Sequence, residues 1–368
     1  MSAAAEPTVL GARLAPVLPR TRRLGAWMRR RLFNGPHNVL LTAFALWLLY
    51  ETLPGLLRWA VMEAVWQAAD SAACSAANGA CWAVIGEKWR VFLFGTYPYE
   101  EHWRAGLATA LLIALCIATA IQRLRRPPLL LAWVCGAALA LLLLHGELLG
   151  LRIVRTEQWG GLPLTMLLFV GSVAGGLPLA VMLAMGRRSP LPFLRVLCTT
   201  YIEFMRGIPL VNVLFMASLM IPLFLPPGIS VDKLLRALLG MTLFFAAYSA
   251  EVIRGGLQSI PAGQYEAARA LGFGYWGMHL RVVLPQALGA VIPPLVNDVI
   301  RAFKNTSFVL IIGLFDLLGA TSAAMAEPRW ARHYVEAYLF VALIYLAACT
   351  SMSRYGDAVE RRIQRRSH

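Results

Sequence analysis

Asp298, Arg301 and Lys304 recur at every third position of an otherwise apolar stretch. On a helix that spacing puts them on roughly one face, and charges in apolar surroundings turn toward protein or water rather than lipid. A face carrying both signs can hold a ligand that itself carries both. The polar run Asn305-Thr306-Ser307 continues the same candidate path. A plainer reading stands beside it: Asp298 and Arg301 form an internal pair that fixes packing, and any ligand sits elsewhere. Glu203 with Arg206, and Glu251 with Arg254, repeat the three-residue spacing and can pair along a helix. Salt bridges at the inner edge of a membrane account for them most simply. Gly207 and Pro209 interrupt the helix that holds Glu203 and Arg206, near its cytoplasmic end. A discontinuous helix frees backbone groups to line a cavity.

Bond-making chemistry has no such signature. Lys88, Lys233 and Lys304 are the only lysines, and none has the Gly-Lys-Ser/Thr context of a phosphate-binding loop. No His-Glu-x-x-His or Gly-x-Ser-x-Gly pattern occurs. No metal site and no cofactor are therefore expected in this chain. Cys116, Cys135 and Cys349 lie in apolar runs, as small packing residues do. Cys74 and Cys81 fall in a segment expected outside the membrane, where thiols oxidise; a disulfide and two free thiols under a small apolar cluster both fit.

The elements that position these residues are membrane helices. Hydrophobic residues make up 59% of the 368 and charged ones only 14%, against about 25% charged in a soluble domain. The excess is gathered in runs that must be helical, because lipid satisfies no backbone polar group. Candidate spans are 39–58, 106–122, 128–149, 162–186, 200–225, 236–254, 286–304 and 334–353, an all-α membrane protein of about eight transmembrane helices. The net charge of +15 suggests nucleic acid only until its placement is considered. It is almost all arginine, crowded into alternate loops at 1–37, 123–127, 187–206, 254–285 and 353–368. That pattern marks cytoplasmic loops and puts both termini inside. An arginine-rich arm at 1–37 precedes a three-helix extension at 38–155, with its longest external loop at 59–105. The composition then shifts toward Gly, Pro and scattered charge in a core at 156–355, followed by a basic tail at 356–368.

The inside loop 254–285 is the least ordinary part. Ser259 to Gly272 reads as a short helix with marked ends: Pro261 suits a first turn, and Gly272 suits the left-handed residue after a last one. A helix of two or three turns needs a surface to pack on. Ala267 and Ala268 are small enough to admit a partner's backbone, and Glu266 and Arg269 offer charged contacts. On physics alone, an interfacial helix lying on the bilayer fits equally well.

Glu266-Ala267-Ala268, Gly272, Val282 and Leu284-Pro285, at these intervals, resemble the cytoplasmic loop motif of ABC importer permeases. Tyr201-Ile202-Glu203-Phe204-Met205-Arg206-Gly207-Ile208-Pro209-Leu210 resembles the signature of polar amino-acid permeases, with Met205 where an aromatic residue is frequent. Tyr248 to Gly256 and Lys304 to Ser307 resemble further segments of those proteins. The resemblance covers about 160–355. The three extra helices look like the longer, M-type permease of general L-amino acid transporters.

The resemblance implies a type I ABC importer permease core in a bacterial inner membrane. It also implies a second permease subunit as heterodimer partner, two ATPase subunits that bind ATP and Mg²⁺, and a periplasmic amino-acid-binding protein. In it Glu266, Ala267, Ala268, Arg269, Gly272, Leu284 and Pro285 become the ATPase-coupling element. Glu203, Arg206, Gly207, Pro209, Glu251 and Arg254 become gating or structural residues. An ion-coupled secondary transporter is the alternative; it shares the intramembrane charges but has no use for the 266–285 pattern, and it usually shows two similar halves. A membrane enzyme needs a catalytic set that the sequence does not display.

Overall fold

The computed structural model describes residues 28, 31–67, 71–121, 127–147 and 150–366. Most of the arginine-rich arm and most of the 123–127 loop lie outside the described residues. The described elements are helical: α1 Pro36–Met62, α2 Ser71–Ala76, α3 Ala83–Phe94, α4 His102–Ala120, α5 Pro127–His145, α6 Gly161–Arg187, α7 Pro192–Gly207, α8 Leu210–Phe224, α9 Lys233–Ser259, α10 Ala262–Ala270, α11 Tyr275–Ala290, α12 Ile292–Asn305, α13 Leu317–Met325 and α14 Tyr334–Arg366.

Two compact units divide the chain, 1–65 with 72–80, and 66–71 with 81–368. In the first, α1 is apolar on every side and buries none of its residues, as suits a helix facing lipid. Backbone bonds from Val65 to Ala80 and from Ala80 to Trp59 tie its end to the 72–80 segment. In the second unit, α3, α4 and α5 belong with the core helices, although the sequence groups them with α1.

The second unit is built on α6 and α9, which pack along their length. Gly176 of α6 is what lets them meet: a Cβ there would lie 3.1 Å from the Thr242 carbonyl oxygen and 2.6 Å from the Phe245 ring. Small residues at such a crossing replace the hydrophobic drive that lipid does not supply. α9 begins at a true cap, Asp232 accepting from the Leu235 amide at 3.1 Å. α13 begins at another, Asp316 accepting from Gly319 at 2.9 Å and from the Tyr345 hydroxyl at 3.2 Å. Burial pushes the Asp316 carboxyl up to about 6.

Several boundaries differ from the sequence-based ones. Among the described residues, five helices are long and apolar enough to cross a membrane, or seven if each bent pair counts as one span. An eighth span requires α5, whose apolar part, Leu129–His145, sits at the lower limit of length. The expected span 200–225 is two helices, α7 and α8, meeting at 106°. Pro209 has no amide hydrogen to continue the ladder, and Ile208 before it is extended, as a residue preceding proline prefers. The expected span 286–304 is likewise a pair, α11 and α12, bent by 68° where Pro293 and Pro294 open the second helix. The 254–285 loop is mostly helix, because α9 runs on to Ser259 and α11 starts at Tyr275. The 353–368 segment continues α14 as far as Arg366.

Candidate substrate path and coupling surface

α12 carries the intramembrane charges, and the structure divides them between two faces. Asp298 is buried. It accepts from the Ser249 hydroxyl of α9 at 3.1 Å and is held by the Arg301 guanidinium on its other oxygen. Arg301 lies 4.4 Å above the ring of Tyr248, a cation–π contact that orients it. Asp298, Arg301 and Tyr248 line a small cavity with Ser172, Phe244, Phe245 and Asn305. Its volume is about 10 Å³, room for a single water, so a larger ligand enters only if α12 and α9 separate there. The internal Asp298–Arg301 pair and the cavity facing it are thus the same object.

Lys304 does not share this face. It points into an open cleft of about 380 Å³ between α12 and α14, together with Asn297, Thr350, Ser353 and Arg354. Thr306 is buried and donates to the Phe303 carbonyl, and Ser307 donates to that of Lys304. Both hydroxyl protons are therefore committed to backbone carbonyls of the preceding turn.

A charge cluster joins α6, α7 and α9. Arg187, at the end of α6, donates to Glu203 at 2.7 Å and to Glu251 at 2.9 Å. Glu251 also receives Arg254 in a two-point contact at 2.5 and 2.9 Å. Arg206 is looser, 4.0 Å from Glu203, with its guanidinium 5.8 Å from the Tyr248 ring. Both expected pairs are present, and Arg187 ties them together. Two members of this region are harder to find from sequence: Tyr248 stands inside the Tyr248 to Gly256 segment, whereas nothing local marks Arg187.

α10 presents its residues unequally. Pro261 precedes the helix as its cap, and Gly272 follows it at φ 78°, a left-handed conformation open to glycine. Ala268 is buried among Ile253, Leu257, Met278 and Val283, so it packs inward and is not part of the outer face. Glu266, Ala267 and Arg269 are exposed, and so is Leu271. Leu284 is half-buried and Pro285 exposed within α11.

Two further sites lie in the part read as an extension and its external loop. Arg104 of α4 is fully buried, donating to the Arg152 carbonyl at 3.1 Å with its Nε 3.0 Å from the Glu101 carboxylate. Cys74 on α2 and Cys81 before α3 are both buried, and the Cys81 amide donates to Glu336 at 2.8 Å.

Residues 176–365 match the family described as binding-protein-dependent transport system inner membrane component. An inner membrane amino-acid ABC transporter permease protein, YhdY, of Escherichia coli (strain K12) is 46% identical over 94% of this chain and 95% of its own. The glutamate/glutamine/aspartate/asparagine transport system permease protein BztC of Rhodobacter capsulatus is 37% identical over 96% of this chain and 97% of its own. A probable glutamine ABC transporter permease protein, GlnM, of Bacillus subtilis (strain 168) is 33% identical over 55% of this chain and 90% of its own.

Proposed function

We infer the working of this chain from one premise: it belongs to the binding-protein-dependent transport system inner membrane components, and among them to the amino-acid ABC transporter permeases. In this reading it supplies one half of a translocation path, and a second permease subunit supplies the other. Two ATPase subunits dock from the cytoplasm and hold ATP and Mg²⁺. A periplasmic binding protein delivers an L-amino acid to the outer end of the path. Both termini face the cytoplasm.

The observation that carries the reading is the connection through α9. Its inner end leads through Ile260 and Pro261 into α10, whose exposed Glu266, Ala267 and Arg269 form the docking face. Ten residues back along the same helix, Ser249 holds Asp298 at the closed cavity. Movement of α10 by closing ATPases therefore reaches the Asp298–Arg301 pair through α9 alone. When the cavity opens, Arg301 meets the substrate carboxylate and Asp298 its ammonium group. The Arg187–Glu203–Glu251–Arg254 cluster keeps α6, α7 and α9 moving as one body.

The test is substitution on the docking face. Glu266→Lys reverses an exposed charge and is expected to lower ATP-dependent uptake by about tenfold or more. Gly272→Leu strains the left-handed turn by about 1–2 kcal/mol and is expected either to uncouple ATP hydrolysis from uptake or to release the ATPase. Uptake, ATPase rate and co-purification of the ATPase, measured together, check both. Normal transport by both variants with the ATPase bound overturns the assignment.

A further inference from the structure

The cleft between α12 and α14 brings two cations together with no acid in its lining. Lys304 and Arg354 both line it and both are exposed. Neither has a carboxylate within salt-bridge distance among the described residues, whereas Arg187, Arg254 and Arg301 each have one. Its remaining polar groups, Asn297, Thr350 and Ser353, can all donate hydrogen bonds. Two cations that line one groove with no acid beside them repel each other unless water or an anion accompanies them. At about 380 Å³ the cleft is large enough for an amino acid, and the cavity beside Arg301 is not.

We propose that this cleft is a second carboxylate-binding station, separate from the Asp298–Arg301 cavity, and that it biases the path toward anionic and neutral amino acids and against cationic ones. The proposal rests on the transport reading above and names its substrate class. The argument is charge arithmetic. The one acid in either lining, Asp298, is already neutralised by Arg301, which leaves Lys304 and Arg354 as net positive charge. A glutamate-like substrate gains from both. A glutamine-like substrate gains only through its α-carboxylate. An arginine-like substrate carries its own positive charge against them.

The whole transporter, with its partner subunits, tests this in proteoliposomes. Uptake of labelled glutamate, glutamine and arginine is compared between wild type and the Lys304→Met/Arg354→Met double variant, each supplied with the same binding protein. Glutamate uptake is expected to fall by roughly tenfold, glutamine by less, and arginine uptake to hold or rise. The charge-keeping variant Lys304→Arg/Arg354→Lys is expected to restore glutamate uptake, which separates loss of charge from misfolding.

An equal fall for all three substrates, or no change in any, overturns the station. A variant effect that disappears in vesicles without anionic phospholipid also overturns it and assigns the cations to a lipid headgroup. Absence of amino-acid uptake by the wild-type complex is a different result: it removes the transport reading itself.

Discussion

Asp298 and Arg301 are joined by more than their charges. Ser249 takes the second oxygen of the carboxylate, and Tyr248 lies under the guanidinium, so each charge has a neutral partner on α9 as well as its opposite on α12. Removing one charge leaves the other stranded. Arg301→Gln strands a buried carboxylate and is expected to cost about 1–3 kcal/mol, less than a fully buried pair because the arginine is itself partly exposed. Adding Asp298→Asn is expected to return most of that stability. Thermal unfolding of the purified single and double variants checks the order; a double variant less stable than Arg301→Gln contradicts it. This pair was legible in the sequence because it is local. Lys304 was not placed correctly, for a geometric reason: each three-residue step falls short of a full turn, and two such steps rotate the third residue by about 120°. Arg187 was illegible because its acidic partners lie 16 and 64 residues away, and no local pattern encodes that.

At the level of elements, prolines were legible as breaks, and the angles they produce were not. Pro209 and the Pro293-Pro294 pair mark where a helix must stop, but 106° and 68° follow from what the next helix packs against. The caps show the same division. Asp316 is an ordinary acidic residue in the sequence, and only the structure buries it at the start of α13. Its pKa is raised above the ordinary carboxylate value by burial. The folded state therefore holds a proton that the unfolded chain releases near pH 4. Its contribution is fully present below that value and is lost as pH rises toward 6. The unfolding temperature of the purified protein is expected to fall between pH 4 and 6 by more in the wild type than in Asp316→Asn. The difference corresponds to on the order of 3 kcal/mol. Parallel curves for the two proteins contradict the assignment.

For the whole molecule, the segment 59–105 is expected as an external loop, and its part from residue 81 on is largely helix that packs on α14. Phe92 of α3 is buried and lies 6.1 Å, ring to ring, from Phe340 of α14. Lys88 bonds to Glu327 at 2.5 Å, and the Cys81 amide to Glu336. No hydropathy window finds such an element, because α3 is short and its partners lie more than two hundred residues away. Phe92→Ala is expected to destabilise the protein by about 3–5 kcal/mol, as loss of a buried ring does in a core. Thermal unfolding measures it, and a change under 1 kcal/mol would return α3 to the status of a loop.

α9 has one more consequence. Its 27 residues run from Lys233 to Ser259 as an unbroken α-helix, a rod of about 40 Å. Ser249 sits about 15 Å from its inner end, and the hydrogen-bonded backbone between stretches very little. A rod of this kind has little slack, so in the proposed working a push on α10 and the opening at Ser249 are two readings of one displacement. In that working α9 is a lever, and its stiffness sets how much of any stroke reaches the Asp298–Arg301 pair.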